Sequence, residues 1–263
     1  YNRKWNQPEE IRRIYSLLSL IDKVFLVSKW QADVFSKYFR IPKDKIFITR
    51  NGVYIPYFQK RIERERFRCI YTSAPDRGLD ILLDIFPQIR DKIPQAELYV
   101  FSGFEIWKVS DEDSKKLSEG IFNKAEQRGV HVMKPIKQSE LAEELLKSRL
   151  WLYPNHITKY SIYAETSCIA ALEAQAAGTP VIASNRGALP ETVLHNQTGI
   201  IIDGDPYSKE YQDKFISETV RLLKDAKEWE RLSSNCRERI LREYTWPMIA
   251  KEWEEEFLRL CGS

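Results

Sequence analysis

Short runs of apolar and β-branched residues alternate along the chain with longer stretches whose apolar positions recur every three or four residues. The short runs are Val24 to Val27, Ile46 to Thr49, Arg68 to Thr72, Glu97 to Phe101, Val130 to Met133, Leu150 to Tyr153, Pro180 to Ala183 and Gly199 to Ile202. Each has the length and the β-branched or apolar character of a strand. Between them Leu79, Leu82, Leu83, Phe86 and Ile89 fall on one face of a helix opened by Arg77-Gly78. Strands alternating with amphipathic helices predict βαβ units, hence an α/β chain built on a doubly wound parallel sheet. The charged, strand-poor segment Gln59 to Phe67 follows the turn-like pair Asn51-Gly52, so the pattern divides near residues 50 to 66. No internal repeat or low-complexity tract interrupts it.

The densest chemistry lies between Tyr160 and Pro190. Ala-rich sequence from Ala164 to Ala177, with Thr166 and Ser167 as N-cap residues and Gly178 and Pro180 as stops, predicts a helix of about three turns. It follows the Leu150 to Tyr153 strand through a loop. Ligands of parallel sheets sit beyond the carboxyl ends of the strands, where helix N-termini turn N–H groups towards an anion. The amides of Thr166, Ser167 and Cys168 are therefore expected to hold phosphate. Glu165 and Glu173 are eight positions apart, which on one continuous helix is about 12 Å along the axis. That is too far for the carboxylate pair of a glycosidase, which works across roughly 5 to 9.5 Å, but suits the two ends of an extended ligand.

Composition narrows the field mainly by exclusion. The 263 residues carry 41 Lys and Arg against 38 Asp and Glu, a formal charge of +3, with 43% apolar residues. This fits a globular chain with no basic stripe for nucleic acid. Residues 1 to 50 hold 11 Lys and Arg against 5 Asp and Glu, leaving 30 against 33 in the rest. That basic opening could face an anionic membrane surface or form an ordinary solvated face. No apolar run reaches the roughly 18 residues that span a bilayer, and no leader pattern opens the chain. Cys69, Cys168, Cys236 and Cys261 are widely spaced, with no C-x-x-C, and read as free thiols of a reducing, cytoplasmic compartment. No G-x-G-x-x-G follows a strand, which disfavours a nicotinamide enzyme.

The chain resembles the retaining nucleotide-sugar glycosyltransferases of family 4, the group 1 transferases, which have the two-lobed GT-B fold. Glu165 and Glu173 match that family's E-x7-E motif, and Ala177 to Ser184 (AGTPVIAS) matches the strand that follows its helix. Asp22 to Ser28, Ile46 to Val53 with Asn51-Gly52-Val53, Pro75 to Leu79, Gly187 to Val193 with Pro190-Glu191, and Thr198-Gly199 followed by Gly204-Asp205-Pro206 occur in the family's order. The resemblance covers nearly everything from about residue 20 onward.

It implies catalytic roles for Glu165, beside the transferred sugar, and for Arg77, at the position of a Lys that neutralises the departing diphosphate. Glu173 would take the ribose hydroxyls, a carboxylate being an acceptor suited to a diol. A second family cation falls here on Thr72 or Ser73, which departs from the pattern. Gly103 stands where backbone approaches the donor, and Lys134, in Met133-Lys134-Pro135, where the base is held. Tyr160 and Tyr163 either line the sugar pocket or pack the loop. Each charged residue also has a plainer reading: Glu173 as a surface carboxylate, Glu165 as a helix-dipole partner, Arg77 as a surface cation. His131, His156 and His195 read as structural, and Cys168 as a small buried residue rather than an activated thiol.

The expected activity is transfer of a sugar from a nucleoside-diphosphate sugar to an acceptor hydroxyl on a glycan, lipid or protein, with retention. No metal or other cofactor is expected, since no Asp-x-Asp pair or His/Asp cluster accompanies the segment 160 to 190. The alternatives are a non-catalytic nucleotide-sugar-binding lobe and a nucleotide-sugar epimerase. The domains read as a remnant of the acceptor lobe over 1–50, the nucleotide-sugar-binding lobe over 51–243, and a C-terminal helix over 244–263 crossing back to the first lobe. That helix carries the stripe Trp246, Ile249, Trp253, Phe257 and Leu260, with residues 1 to 50 or a second chain as its cover. Because the chain opens on Tyr1, the expectation is a piece of a larger transferase that binds nucleotide but transfers sugar poorly by itself.

Overall fold

The computed structural model describes residues 16–102, 119–156 and 164–262. Its centre is a six-stranded, all-parallel sheet of β3 (Arg68–Tyr71), β4 (Glu97–Phe101), β5 (Val130–Met133), β6 (Leu150–Tyr153), β7 (Val181–Ser184) and β8 (Gly199–Ile202), in spatial order β5-β4-β3-β6-β7-β8. A separate two-stranded parallel sheet pairs β1 (Val24–Leu26) with β2 (Ile46–Ile48), joined by α1 (Lys29–Phe39). The strands lie within a residue of where the apolar runs place them. All four residues of β3, β6, β7 and β8 are buried, which explains why these strands read as continuous rather than alternating runs. β5 and β8 are the edge strands, and β5 is the more exposed of the two.

Helices α2 (Leu79–Lys92), α3 (Gln138–Lys147), α4 (Ile169–Ala176), α5 (Leu189–Thr192), α6 (Lys209–Lys224) and α7 (Ala226–Glu243) belong to this second unit. The face predicted for α2 is the buried one, with Leu79, Leu82, Leu83, Phe86 and Ile89 at 0–1% exposure. It packs into one core with Tyr71, Leu98, Val100, Trp151, Tyr153 and Phe215. Removing each such side chain from water contributes about 1.5–3 kcal/mol, so the sheet and its helices hold the ligand edge rigidly.

The last helix, α8 (Trp246–Cys261), returns to the small sheet. Val53 donates its N–H to the Tyr244 carbonyl at 2.7 Å where the chain crosses. Phe25 lies edge-on to Trp253 with centroids 6.1 Å apart and tilted against Phe257 at 5.4 Å. The Trp253 indole N–H donates to the Thr49 hydroxyl, and Arg50 pairs with Glu252. Ile249 is fully buried, whereas Phe257 and Leu260, like Leu17 and Leu20, remain open to solvent. No helix among the described residues is long and apolar enough to cross a membrane.

Candidate donor site

The strand order decides where a ligand belongs. Chain running from β3 moves outward through β4 to β5, then returns to the other side of β3 as β6 and continues outward through β7 to β8. The loops leaving the carboxyl ends of β3 and β6 therefore diverge and open a crevice between them. The loop after β3 carries Thr72, Ser73 and Arg77; the chain leaving β6 leads to Glu165 and α4. Arg77 and Glu165, 88 positions apart, meet there with Nη1 3.9 Å from Oε1. Gly78, at φ 99°, lets this turn enter α2 against the Pro154 carbonyl, where a Cβ would collide.

Glu165 is 2% exposed, so its carboxylate needs protein partners. The Tyr153 hydroxyl donates to Oε1 at 2.6 Å, and the Asn155 amide donates to that hydroxyl oxygen at 3.0 Å. Burial and the neighbouring Glu165 charge push the Tyr153 phenol well above its ordinary pKa, which keeps it a donor. The backbone of Glu165 is fixed as well. Ala188 donates its N–H to the Glu165 carbonyl at 2.7 Å, and Gly187, at φ 56°, packs so closely that a Cβ would press on that oxygen and stand 2.9 Å from the Glu165 nitrogen.

That contact corrects the expected helix. Residues 164 to 168 bend along the Gly187-Ala188 loop, and α4 begins at Ile169, one or two residues after the start that Thr166 or Ser167 as N-cap predicts. Cys168 occupies the N-cap position without a side-chain cap bond, and Thr166 and Ser167 precede it. Glu165 and Glu173 consequently do not share a helix, so the 12 Å axial spacing does not describe them. The stop is as predicted: Gly178, at φ 69°, and Thr179 return N–H groups to Gln175 and Ala174 at 2.8 Å. Cys168 is buried and burial raises its thiol pKa, so it is an inert packing residue. No disulfide joins the four thiols, of which Cys261 alone is exposed.

Glu173 lies in the second turn of α4, 9% exposed, and accepts a 2.5 Å hydrogen bond from the Gln138 side chain at the start of α3. Burial raises its pKa above the ordinary carboxylate value, against the effect of Gln138. The reading of Glu173 as a surface carboxylate is thereby removed, as is that of Arg77 as a free surface cation. Thr72 accepts from the Trp151 indole at 2.8 Å, and the Ser73 carbonyl accepts from the Ser102 hydroxyl at 2.5 Å, so neither replaces the second cation. Lys134 is exposed past the end of the edge strand, two strands from β3. Gly103, Tyr160 and Tyr163 lie outside the described residues.

A polar triangle at this edge escaped sequence reasoning. Asp80 on α2, His156 after β6 and Tyr207 after β8 bond pairwise: His156 Nε2 to Asp80 Oδ1 at 3.2 Å, the Tyr207 hydroxyl to Asp80 Oδ2 at 3.1 Å and to His156 Nε2 at 2.8 Å. The Tyr207 ring stacks on the imidazole at 4.8 Å. Burial works to raise the Asp80 carboxyl, but the His156, Tyr207 and Ile81 amide bonds outweigh it and hold the group below its usual range. The only trace in sequence was that His156 follows a strand on the loop side. The sequence also holds an Asp-x-Asp triplet, Asp203-Gly204-Asp205, at the end of β8. Asp203 there accepts from the Asn185 amide and Asp205 from the Tyr207 N–H.

A doubly wound lobe that brings a buried carboxylate and a cation together at its topological switch point has the crevice in which open parallel sheets take their ligands. The chain belongs to the family of glycosyl transferases group 1, whose model matches residues 60–239. It is 28% identical over 199 residues to a GDP-mannose-dependent alpha-(1-6)-phosphatidylinositol monomannoside mannosyltransferase of Mycobacterium tuberculosis, covering 75% of this chain and 48% of that protein. It is 27% identical to an MMP alpha-(1->4)-mannosyltransferase of Mycolicibacterium hassiacum, covering 95% of this chain and 58% of the relative. The chain thus spans about half the length of the curated relatives it matches. A sucrose-phosphate synthase from Thermosynechococcus elongatus superposes with a TM-score of 0.78 at 19% identity, over 99% of this chain and 64% of that one. The likeness is one of fold, that of GT-B glycosyltransferases.

Proposed function

We propose that this chain carries the donor site of a retaining glycosyltransferase that moves a hexose from a nucleoside-diphosphate sugar to an acceptor hydroxyl. The observation that carries the reading is the meeting of Arg77 with the buried, doubly fixed Glu165 at the switch point of the sheet. The sugar sits against Glu165, the diphosphate against Arg77 and the start of α4, which lies past the expected residues 166 to 168, and the ribose on Glu173. When the bond from the anomeric carbon to phosphate breaks, its electron pair leaves with the diphosphate, the acceptor oxygen bonds to the anomeric carbon and gives its proton to the departing phosphate oxygen, and Arg77 and the start of α4 stabilise the developing charge without a metal ion. Tyr153 and Asn155 hold the Glu165 carboxylate still while this happens.

GDP-mannose is the first donor to try, because the Mycobacterium tuberculosis relative is GDP-mannose-dependent by name. The acceptor in this reading is a glycan, lipid-linked or protein hydroxyl, and the setting is cytoplasmic, with the basic first segment able to approach an anionic membrane face. A second reading, a nucleotide-sugar-binding lobe without catalysis, is favoured by Thr72 and Ser73 standing where the family has a cation. Incubation with radiolabelled GDP- and UDP-sugars separates the readings. Release or transfer of labelled sugar with retained configuration supports the proposal, binding without turnover supports the second reading, and an epimerised donor refutes both.

A further inference from the structure

Helix α1 begins with its N–H groups turned towards a carboxylate from the other unit. Glu191 on α5 accepts from the Lys29 N–H through Oε2 at 2.9 Å and from the Trp30 N–H through Oε1 at 2.7 Å. The next donor, the Gln31 N–H, goes to the Ser28 hydroxyl at 3.0 Å. A helix start leaves such donors open, and its dipole favours an anion there. Here the anion comes from 161 positions away, so capping and the docking of β1-α1-β2 onto the larger unit are one contact.

The segment bearing Glu191 is held rigidly. Arg239 on α7, 5% exposed, donates to the carbonyls of Thr192 at 2.6 Å and Glu191 at 2.7 Å. Its guanidinium also donates to the Tyr244 hydroxyl at 2.9 Å. Three residues before Glu191, the same segment presents the Ala188 N–H to the Glu165 carbonyl, with Gly187 packed against the Glu165 main chain. One stiff piece of chain, residues 187 to 192, therefore touches α1 at one end and Glu165 at the other.

We propose that Glu191 is a positioning residue: through its two bonds to the start of α1, the placement of the β1-α1-β2 unit sets where Glu165 stands in the donor site. A shift of that unit pulls on Glu191, and the pull reaches Glu165 through Ala188. The inference rests on the reading of Glu165 as the group beside the transferred sugar, but its mechanical part does not. No contact of Glu191 with the donor is required.

The test uses the 263-residue chain in four forms: unaltered, Glu191→Ala, Glu191→Gln and Lys29→Pro. Proline suits the first position of a helix and removes one of the two donors while leaving Glu191 in place; the extended backbone of Ser28, φ −162° and ψ 161°, accepts a following proline. Amide hydrogen exchange is read at Trp30 and Ala188, with nucleoside-diphosphate affinity by calorimetry and sugar release from the radiolabelled donor. In Glu191→Ala, Trp30 and Ala188 should both exchange at least about tenfold faster. Nucleotide affinity should stay within about threefold and sugar release should fall about tenfold or more, roughly the effect of displacing a reacting group by a fraction of an ångström. Lys29→Pro should move Ala188 exchange and sugar release the same way by less, and serves if Glu191→Ala does not fold. Glu191→Gln, which keeps one acceptor oxygen, should restore part of both losses. Faster exchange at Trp30 with Ala188 and sugar release unchanged would make the contact a local cap and overturn the proposal. If the unaltered chain neither binds nucleotide nor releases sugar, the donor-site reading fails; Ala188 exchange in the variants then supports or overturns the coupling by itself.

Discussion

Glu173→Gln separates what a carboxylate does for the fold from what it does for the ligand. At 9% exposure the group has lost most of its water and has the Gln138 amide as its hydrogen-bond donor; burial raises its pKa above the usual 4.5. A carboxyl whose native pKa exceeds its unfolded value binds its proton more tightly when folded, so ionising it costs stability. Below pH 4.5 both states are protonated and nothing is lost. As pH climbs through the raised native value the cost grows, reaching about 1.4 kcal/mol for each unit of the shift. Glu173→Gln keeps the shape and the acceptor for Gln138 without a charge to bury. The empty variant should therefore equal the unaltered chain near pH 4 and exceed it at pH 8, by about 2–4 °C in melting midpoint per kcal/mol for a chain of this size. Nucleotide binding should move the opposite way. Ribose hydroxyls donate more strongly to a carboxylate than to an amide, so the variant should lose about 1.5–3 kcal/mol, roughly 10- to 150-fold in affinity at pH 8. Unfolding curves at pH 4 and 8 and calorimetric titration with nucleoside diphosphates read both quantities. Equal nucleotide affinity in the two proteins would remove Glu173 from the site, and a variant less stable than its parent at pH 8 would refute the burial argument.

Arg77→Gln should lower sugar release by about 100-fold while changing nucleotide affinity far less, because the cation is needed most when the diphosphate departs; a loss confined to affinity would show that it serves binding alone. Gly78→Ala should reduce unfolding free energy by about 2 kcal/mol or more, since an L residue is strained at φ 99° and its methyl meets the Pro154 carbonyl; denaturant titration reads it. Asp80 has a native pKa below its ordinary 3.8, so its bonds stabilise the fold above that pH and are lost as pH falls through the native value. Tyr207→Phe should accordingly cost at most about 1 kcal/mol at neutral pH, shrinking towards zero in strong acid, and a difference that persisted at pH 2 would contradict the assignment. Sugar release should survive EDTA undiminished; loss restored by Mg²⁺ would shift attention to Asp203 and Asp205.

What could be read from the chain was whatever depends on neighbours in sequence. Leu150 to Tyr153 announces a buried parallel strand because all four residues are covered, and the face of α2 follows from its spacing. The start of α4 could not be read in that way. Thr166 and Ser167 have good N-cap chemistry, yet the Gly187-Ala188 loop claims the Glu165 main chain and delays the helix to Ile169. The resemblance brought Arg77, Glu165 and Glu173 into view through motifs, whereas Tyr153 looked like one more apolar residue at a strand end. Nothing local marks Asp80 and Tyr207, whose roles exist only once distant loops are side by side.

The Asp80, His156 and Tyr207 triangle has a consequence for the order of folding. Its bonds close loops of 76, 51 and 127 residues, and they require the pairing of β3 with β6, of β6 through β8, and of β3 through β8, respectively, before the side chains can meet. Contacts of such separation repay their closure entropy late. The rim of the crevice at the sheet's switch point should therefore be among the last regions to acquire native order during refolding, after the β3-α2-β4 unit has condensed. A refolding chain would regain its helical signal first and its capacity to bind nucleotide afterwards, so the lag between those signals times the closing of the rim.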